Sequence, residues 1–179
     1  MTRILMCCLV LVSTTILRAA DPPAPSGEIT LQLASWADTE KLVASHKGKI
    51  VVVDVWSSSC VPCVKELPHL AKLQKAHPAD VVGVSLNCNY IGLGKPEEEK
   101  ESVLKFLTKR EIRAINLLCT DADDQLYKKL EVASIPVVRV YGRDGKLVKQ
   151  FDNDKAEYGE GFSYEMHINP FVAKLVQAK

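Results

Sequence analysis

The sequence lacks a strong charge of either sign. Its 23 lysine and arginine residues nearly balance 22 aspartate and glutamate residues, which leaves a formal net charge of +1. This balance does not indicate a nucleic acid or an acidic surface as a partner. Repeats and low-complexity stretches are also missing, and 47% of the residues are apolar and 25% are charged. These features are typical of a soluble globular protein with a hydrophobic core.

The sequence also lacks a long hydrophobic run near its N-terminus. An ordinary membrane-spanning helix needs about 20 apolar residues, whereas the N-terminal apolar segment covers only residues 4–17. Arg3 precedes this segment, and small and then polar residues follow it, which is the order of a secretory signal. A cleavage site after Ala20 leaves Arg18 where a small residue is preferred. A cleaved signal is the favoured interpretation, and a retained membrane anchor is the alternative.

Both interpretations predict that the rest of the chain is exported, to the periplasm or another extracytoplasmic space. We predict a signal peptide over residues 1–20, a linker over residues 21–28 with three prolines, and a single domain over residues 29–179. Export permits disulfide bonds among the four cysteines that follow the leader.

The sequence lacks the ligand spacing of an ordinary zinc site. Structural zinc sites usually combine two CxxC-like units, and this chain has one, formed by Cys60 and Cys63. The four histidines show no ligand spacing with the cysteines. We therefore favour redox chemistry over zinc binding for the pair, and we expect neither a metal nor another cofactor.

Cys60 and Cys63 lie between a strand-like and a helix-like segment. The apolar run of residues 50–55 precedes them, and an apolar stripe at helical spacing covers residues 64–76. Cys60 therefore falls at a helix N-terminus, where unpaired N–H groups and the helix dipole stabilise a thiolate. Cys63, one turn later, is close enough to form a disulfide with it. The pattern predicts thiol–disulfide exchange in which Cys60 attacks and Cys63 resolves.

Strand and helix patterns alternate along the domain and end in a hairpin. This order predicts an α/β sandwich with a mixed central sheet. The predicted strands cover residues 50–55, 81–86, 115–119, 137–141 and 146–151, and the predicted helices cover residues 36–46, 64–76, 96–110, 123–130 and 168–177. Residues 152–169 are longer and more polar than a simple connection, which suggests an extra loop or hairpin.

Several of these motifs resemble the thioredoxin superfamily, and more narrowly its TlpA/ResA-like exported thiol–disulfide oxidoreductases. The similarity covers residues 29–151 and comprises VVVDVW before CVPC, Pro68 in the following helix, and SIP at residues 134–136. It implies a thioredoxin-like three-layer sandwich, in which helices flank a mixed central β-sheet. The chain departs from the family at Ser59, where an aromatic residue, commonly Trp, usually precedes the first cysteine.

Two carboxylates receive roles from this resemblance. Asp54 lies in an apolar strand, where a buried carboxylate is costly unless it is paired or protonated. The resemblance implies that Asp54 moves a proton to or from Cys63, and the alternative is a carboxylate at a solvated strand end. Glu66 lies one helical turn after Cys63, so its side chain can return to the cysteine end. The ResA-like reductases have a glutamate there, and the alternative is a solvent-facing helix charge.

The resemblance also implies a substrate-binding edge. The bond between Ile135 and Pro136 is expected to be cis, which places the Ile135 backbone beside Cys60 and allows a bound peptide to pair with it as an added strand. The alternative is the ordinary trans proline at a strand start. Trp56 is expected mainly to pack, and also to shape the edge of the site.

Cys88 and Cys119 are candidates for a second, structural disulfide. Each follows or ends a predicted strand, and neighbouring parallel strands lie about 5 Å apart, within the Cα separation of a disulfide. Two separate buried thiols are the alternative, because the side chains can face opposite sides of the sheet.

The preferred functional hypothesis is an exported reductase of protein disulfides that acts as a monomer. The resemblance implies the haem-binding CxxCH motifs of apocytochromes c as candidate substrates and a membrane thiol reductase as the electron donor. The alternatives are a disulfide oxidase or isomerase, and a non-catalytic module that holds a peptide beside Ile135. A peroxidase is disfavoured. Peroxidases of the superfamily that this chain resembles usually have a threonine three residues before their key cysteine, and this chain has a serine three residues before Cys60.

Overall fold

The structure, a computed structural model, describes residues 27–154, 156–159 and 161–178. The predicted signal peptide and all but the last two residues of the predicted linker lie outside this described part. Among the described helices, none is both long enough and apolar enough to cross a membrane.

A mixed sheet of six strands forms the centre of the described part of the chain. Its strands are β1 Gln32–Ala34, β2 Ile50–Trp56, β3 Val81–Asn87, β4 Ile115–Cys119, β5 Val137–Tyr141 and β6 Leu147–Asp152. Their spatial order is β1-β4-β3-β2-β5-β6. The first four strands in this order run parallel to one another, whereas β5 pairs antiparallel with both β2 and β6.

Helices cover both faces of this sheet. They are α1 Trp36–Ser45, α2 Val61–Glu66, α3 Pro68–Ala76, α4 Lys100–Lys109, α5 Asp123–Leu130 and α6 Asn169–Gln177. One hydrophobic layer contains Trp36 of α1 and Leu126 of α5, and the other contains Leu70 of α3, Leu107 of α4 and Val172 of α6. This arrangement confirms the predicted three-layer sandwich.

Strand β2 lies between β3 and β5 in the sheet, and all seven of its residues are buried. Its apolar side chains alternate between the two layers: Val51 and Val53 pack on the α1–α5 side, and Val52 packs on the other. A strand with helices on both faces has no solvated side, which explains the continuous apolar run in the sequence. Its C-terminal end leads directly into the cysteine pair.

The helix after the cysteines is divided in two at Pro68, where the resemblance implies a kink in the helix that the apolar stripe predicts over residues 64–76. Helix α2 ends at Glu66, and α3 begins at Pro68. Proline lacks an N–H group and its ring crowds the preceding turn, so Pro68 interrupts the hydrogen-bond ladder at this point. The interruption separates the short helix that carries the cysteines from the longer helix that packs on the core.

Two regions differ from the sequence pattern. The short edge strand β1 is not predicted, because three residues that pair only with β4 leave little periodic signal. Residues 152–169 are predicted as a loop or hairpin, and they instead contain a 3₁₀ turn, Ala156–Tyr158, and a π-helical turn, Tyr164–Ile168. The second turn runs directly into α6.

Leu70 anchors α3 to the sheet, and truncating it should destabilise the fold. Its side chain is 0% exposed, so Leu70→Ala leaves a cavity and is expected to lower the free energy of unfolding by about 2–5 kcal/mol. Urea denaturation of the oxidised protein measures the change. Leu93→Ala is the matched control, because Leu93 is 77% exposed and its truncation should change stability by less than about 0.5 kcal/mol. Equal losses in the two variants would contradict this account of the core.

Candidate active site

Cys60 and Cys63 form a disulfide at the start of α2. Their Cα atoms lie 5.3 Å apart. Cys60 is the N-cap residue of the helix, with extended backbone angles, and the backbone N–H of Cys63 points to Cys60 Sγ at 3.3 Å. Pro62 occupies the first turn, where the absence of an N–H group costs little. The local geometry thus directs a helix N–H group toward Cys60.

The two cysteines differ in access to solvent. Cys60 is partly exposed, whereas Cys63 is 1% exposed and packs within the core layer of α3, α4 and α6. Val61, which lies between them, is largely exposed. A substrate from solution can therefore approach Cys60 sulfur, and Cys63 is reached only from within the site.

The loop before β5 forms one side of a groove beside Cys60. The Ile135–Pro136 peptide bond is cis, and the carbonyl oxygen of Ile135 lies 3.9 Å from Cys60 Sγ. The groove has a volume of about 560 Å³ and is also lined by Ile91 and Tyr127. It thus combines apolar side chains with exposed backbone next to the accessible sulfur.

Asn89 holds the turn that precedes Cys60. Its side-chain oxygen accepts hydrogen bonds from the Ser58 backbone N–H at 2.9 Å and from the Ser57 hydroxyl at 3.0 Å. Its amide group donates to the Ser58 hydroxyl at 2.8 Å and to Glu99 at 3.1 Å. Ser59, where the family usually has an aromatic residue, is exposed, and its hydroxyl contacts that of Ser57 at 2.9 Å. Polar contacts therefore hold this turn.

Trp56 packs in the core, as expected, and it is not among the residues that line the groove beside Cys60. Its side chain is fully buried, and its indole N–H donates to the Ser85 hydroxyl at 2.8 Å. Its ring also packs against Phe106, with centroids 5.0 Å apart. As the last residue of β2, Trp56 points into the core layer of α4 rather than toward the groove. Trp56 supports the site from below without lining it.

Asp54 is buried in the middle of β2 with a side-chain exposure close to zero. Only 2% of the residue is exposed, and its neighbours on the same strand face, Val52 and Trp56, pack in the layer that contains Cys63. Burial raises the pKa of Asp54 to about 7, and the charge of Glu66 acts in the same direction. A hydrogen bond from Tyr164 acts in the opposite direction. Asp54 is thus able to exchange a proton near neutral pH.

Glu66 is directed into the protein rather than into solvent. Its carboxylate accepts a hydrogen bond from the backbone N–H of Tyr164 at 2.9 Å. The ring of His69 lies beside it, with Nδ1 3.8 Å from the carboxylate. Tyr164 also binds Asp54 through its hydroxyl, so one residue links the two carboxylates. The alternative of a freely solvated helix charge does not describe this position.

Tyr164 is the residue of this site that sequence reasoning missed. Its hydroxyl donates to Asp54 at 2.8 Å, although the two residues are 110 positions apart in the chain. The only available signal was an aromatic residue in the segment after β6, which had no functional interpretation. Neither spacing nor periodicity relates this segment to β2, because the contact depends on how the chain returns across the sheet.

The predicted disulfide between Cys88 and Cys119 is wrong, because both residues are free buried thiols. They directly follow or end the paired parts of β3 and β4, and both pack in the α1–α5 layer. Their side chains have different partners: the Cys88 thiol donates to the Trp56 carbonyl oxygen at 3.4 Å, and the Cys119 thiol lies 4.0 Å from the Asp121 carboxylate. Burial raises the pKa of Cys88 to about 12 and that of Cys119 to about 11. Both thiols therefore stay protonated and weakly nucleophilic at neutral pH.

Within residues 27–154, 156–159 and 161–178, no three or more His, Cys, Asp or Glu side chains are grouped so that they hold a metal ion. The described site contains the two sulfur atoms of Cys60 and Cys63, the buried carboxylate of Asp54 and the groove beside Cys60. These groups suit a two-electron exchange between a dithiol and a disulfide.

Comparison with known proteins relates the chain to thiol–disulfide enzymes. The family model described as Redoxin matches residues 19–161. Sporulation thiol-disulfide oxidoreductase A of Bacillus subtilis (strain 168) is 26% identical over 110 residues, which are 62% of this chain and 63% of that protein. NHL repeat-containing protein 2 of Gallus gallus is 29% identical over 118 residues, which are 63% of this chain and 16% of that protein. The chain thus spans less than two thirds of each of these curated relatives.

A solved structure also resembles the chain. A secreted disulfide oxidoreductase of Mycobacterium tuberculosis is 26% identical and superposes with a TM-score of 0.55, over 74% of this chain and 86% of that chain. The likeness confirms the thioredoxin-like fold that the sequence motifs imply.

The stability of the protein should depend on pH through Asp54. Its pKa is about 7 in the folded state and 3.8 as the ordinary value. Between these pH values the folded state keeps a proton that the unfolded state releases, so stability falls as pH rises from about 4 to about 7. Asp54→Asn removes this effect and keeps an oxygen for Tyr164. We expect the substitution to raise the free energy of unfolding by about 1–4 kcal/mol at pH 8 and by little at pH 4.

Urea denaturation of the oxidised protein at pH 4 and pH 8 tests this expectation. Asp124→Asn is the control, because Asp124 is an exposed carboxylate on α5 and its substitution should not stabilise the protein at pH 8. A gain for Asp54→Asn that is the same at both pH values, or a loss at pH 8, would contradict the burial of an ionisable Asp54.

Proposed function

The chain belongs to the Redoxin family, and from this premise we propose that it is a thiol–disulfide oxidoreductase that uses Cys60 and Cys63. The observation that carries the proposal is the Cys60–Cys63 disulfide at the start of α2, with one sulfur accessible from the groove and the other buried. An asymmetric pair of this kind can receive a substrate at one sulfur and release it through the other.

The proposed reaction starts from the reduced pair. The Cys60 thiolate attacks a substrate disulfide, forms a mixed disulfide with one substrate sulfur, and displaces the other as a thiolate. Cys63 then loses its proton and attacks Cys60 sulfur, which releases the second substrate thiolate and forms the Cys60–Cys63 disulfide. The substrate disulfide thus accepts two electrons, and its two sulfur atoms become thiols after protonation.

We propose that Asp54 accepts the Cys63 proton in the second step. The burial of Asp54 on the Cys63 side of the sheet supports this role, as does its raised pKa of about 7. Glu66 is proposed as the neighbouring carboxylate that relays the proton toward the surface, because it lies between Tyr164 and the partly exposed ring of His69.

Binding of the substrate is proposed to occur in the groove beside Cys60. The loop of Ile135 and Pro136 places a backbone carbonyl group 3.9 Å from Cys60 Sγ, which allows an extended peptide to pair with this edge. Ile91 and Tyr127 supply apolar contacts along the same groove. A protein disulfide in an extended segment is therefore the substrate class that the groove favours.

We propose further that the protein is exported and works in the reducing direction. The N-terminal sequence resembles a secretory signal, and the similar protein of Mycobacterium tuberculosis is secreted. The proposed substrates are apocytochromes c or other exported proteins, with a membrane thiol reductase as electron donor and with the chain acting as a monomer. A disulfide oxidase or isomerase would use the same pair in the other direction.

Cys60 should be the first cysteine to react when the reduced protein is alkylated near neutral pH. It is partly exposed and lies at a helix N-terminus, which lowers the pKa of a thiol, whereas Cys63 is buried and Cys88 and Cys119 have raised pKa values. Mass spectrometry of iodoacetamide-treated protein identifies the first labelled site. The Cys60→Ser variant should lose this rapid phase. Faster labelling of Cys63 would reverse the two proposed roles.

Insulin reduction with dithiothreitol tests the activity itself. We expect Cys60→Ser to abolish turnover, because the attacking sulfur is lost, and we expect Cys63→Ser to accumulate mixed disulfides that a non-reducing gel detects. Cys119→Ala is the matched control and should retain turnover, since this thiol lies outside the groove. An unaltered chain that binds peptides but does not reduce insulin would instead support a non-catalytic module.

A further inference from the structure

The segment after β6 brings one aromatic residue into the centre of the candidate site. Ser163 caps the π-helical turn Tyr164–Ile168, since its hydroxyl accepts a hydrogen bond from the Met166 backbone N–H at 3.3 Å. The turn places Tyr164 at 0% exposure in the same core layer as Cys63. This segment therefore contributes to the site as well as connecting the last strand to the last helix.

Tyr164 contacts both carboxylates of the site. Its hydroxyl donates to Asp54 Oδ2 at 2.8 Å, and its backbone N–H donates to Glu66 Oε2 at 2.9 Å. The ring of His69 stacks on the Tyr164 ring, with centroids 6.1 Å apart and planes 23° apart. One residue thus fixes the position of β2's buried carboxylate relative to that of α2.

The geometry points to Tyr164 as a positioning residue that holds Asp54 and Glu66 for proton transfer at Cys63. This inference rests on the proposed function, because the proton that it concerns is the one that Cys63 loses during resolution. The hydrogen bonds of Tyr164 go to the two carboxylates and not to the cysteine pair. It acts through the carboxylates that it binds.

The hydroxyl of Tyr164 is the part of the side chain that controls Asp54. A donor stabilises a carboxylate more than a carboxylic acid, so this bond lowers the pKa of Asp54 against the effect of burial. The groups that act on the pKa of Asp54 are Tyr164 from the π-helical turn and Glu66 from α2. His69 of α3 lies beside Glu66, and Cys63 of α2 packs in the same core layer as Tyr164. Loss of the hydroxyl leaves burial and the charge of Glu66 unopposed. The pKa of Asp54 should then rise.

Tyr164→Phe separates this role from simple packing. Phenylalanine keeps the ring that fills the core and the backbone N–H that binds Glu66, and it removes only the donor to Asp54. Tyr158→Phe is the matched control, because Tyr158 belongs to the same segment and its ring packs against Phe151 and Phe162 instead. A purely structural role for Tyr164 predicts no change in the titration of Asp54.

The titration is measured by ¹³C NMR of the carboxyl carbons in the oxidised protein, where Cys60 and Cys63 do not titrate. We expect Tyr164→Phe to raise the pKa of Asp54 by about one unit, and Tyr158→Phe to leave it unchanged. A folded Tyr164→Phe variant with an unchanged Asp54 titration overturns the inference, as does an equal shift in Tyr158→Phe.

If Tyr164→Phe does not fold, 3-fluorotyrosine in the unaltered chain supplies a stronger donor, which should lower the pKa of Asp54. An unchanged pKa of Asp54 in that protein overturns the inference.

The kinetic consequence is measured with the reduced protein. The pH at which resolution of a mixed disulfide reaches half its maximal rate should rise by about the same one unit in Tyr164→Phe. In an Asp54→Asn background the Tyr164→Phe substitution should cause no further shift, and an additional shift there overturns the inference. The NMR titration does not require activity, so it tests the contact between Tyr164 and Asp54 separately from the proposed function. If the pKa of Asp54 shifts in Tyr164→Phe but the unaltered protein reduces no disulfide, the contact is supported and the proposed function is refuted.

Discussion

The burial of a carboxylate in the central strand is the constraint on which the candidate site depends. Asp54 lies within a strand whose residues are all buried, and a charge in such a position is costly unless nearby groups compensate for it. The compensation comes from a proton at lower pH and from the hydroxyl of Tyr164, which donates a hydrogen bond to the carboxylate. The structure therefore holds an ionisable group on the Cys63 side of the sheet, with a pKa near neutrality that suits proton transfer.

The same principle separates the four described cysteines into two chemical types. Cys60 lies at a helix start beside an open groove, which favours a thiolate when the pair is reduced. Cys88 and Cys119 lie a short distance away in the core, where burial raises the pKa of each thiol. Environment, rather than residue type, thus separates a redox pair from two packing residues.

The site is assembled from segments that are distant in sequence. The turn before Cys60 is held by Asn89 from the loop after β3, and the groove is completed by Ile135 from the loop before β5. The buried side of the site is completed by Tyr164 from the π-helical turn after β6. Each of these loops leaves or approaches the same end of the central strands, so the sheet order determines which of them meet.

Local pattern was sufficient for the parts of the molecule that local physics controls. The strand of residues 50–55 is visible as a continuous apolar run, and the helix start at Cys60 depends on a hydrogen bond between residues close in the chain. The CVPC motif and its place between strand and helix were readable for the same reason. The resemblance to the thioredoxin superfamily then supplied the layer arrangement.

Only the tertiary structure decided which distant side chains meet. It placed Trp56 in the core, directed the Cys88 and Cys119 thiols to separate partners, and brought Tyr164 to Asp54 across 110 residues. Side-chain direction within a layer and the return path of a long connection depend on packing against residues that no local pattern specifies. The sequence by itself therefore determined the redox pair and its strand–helix setting and indicated the two carboxylates, and the packed sheet decided that Tyr164 binds both of them.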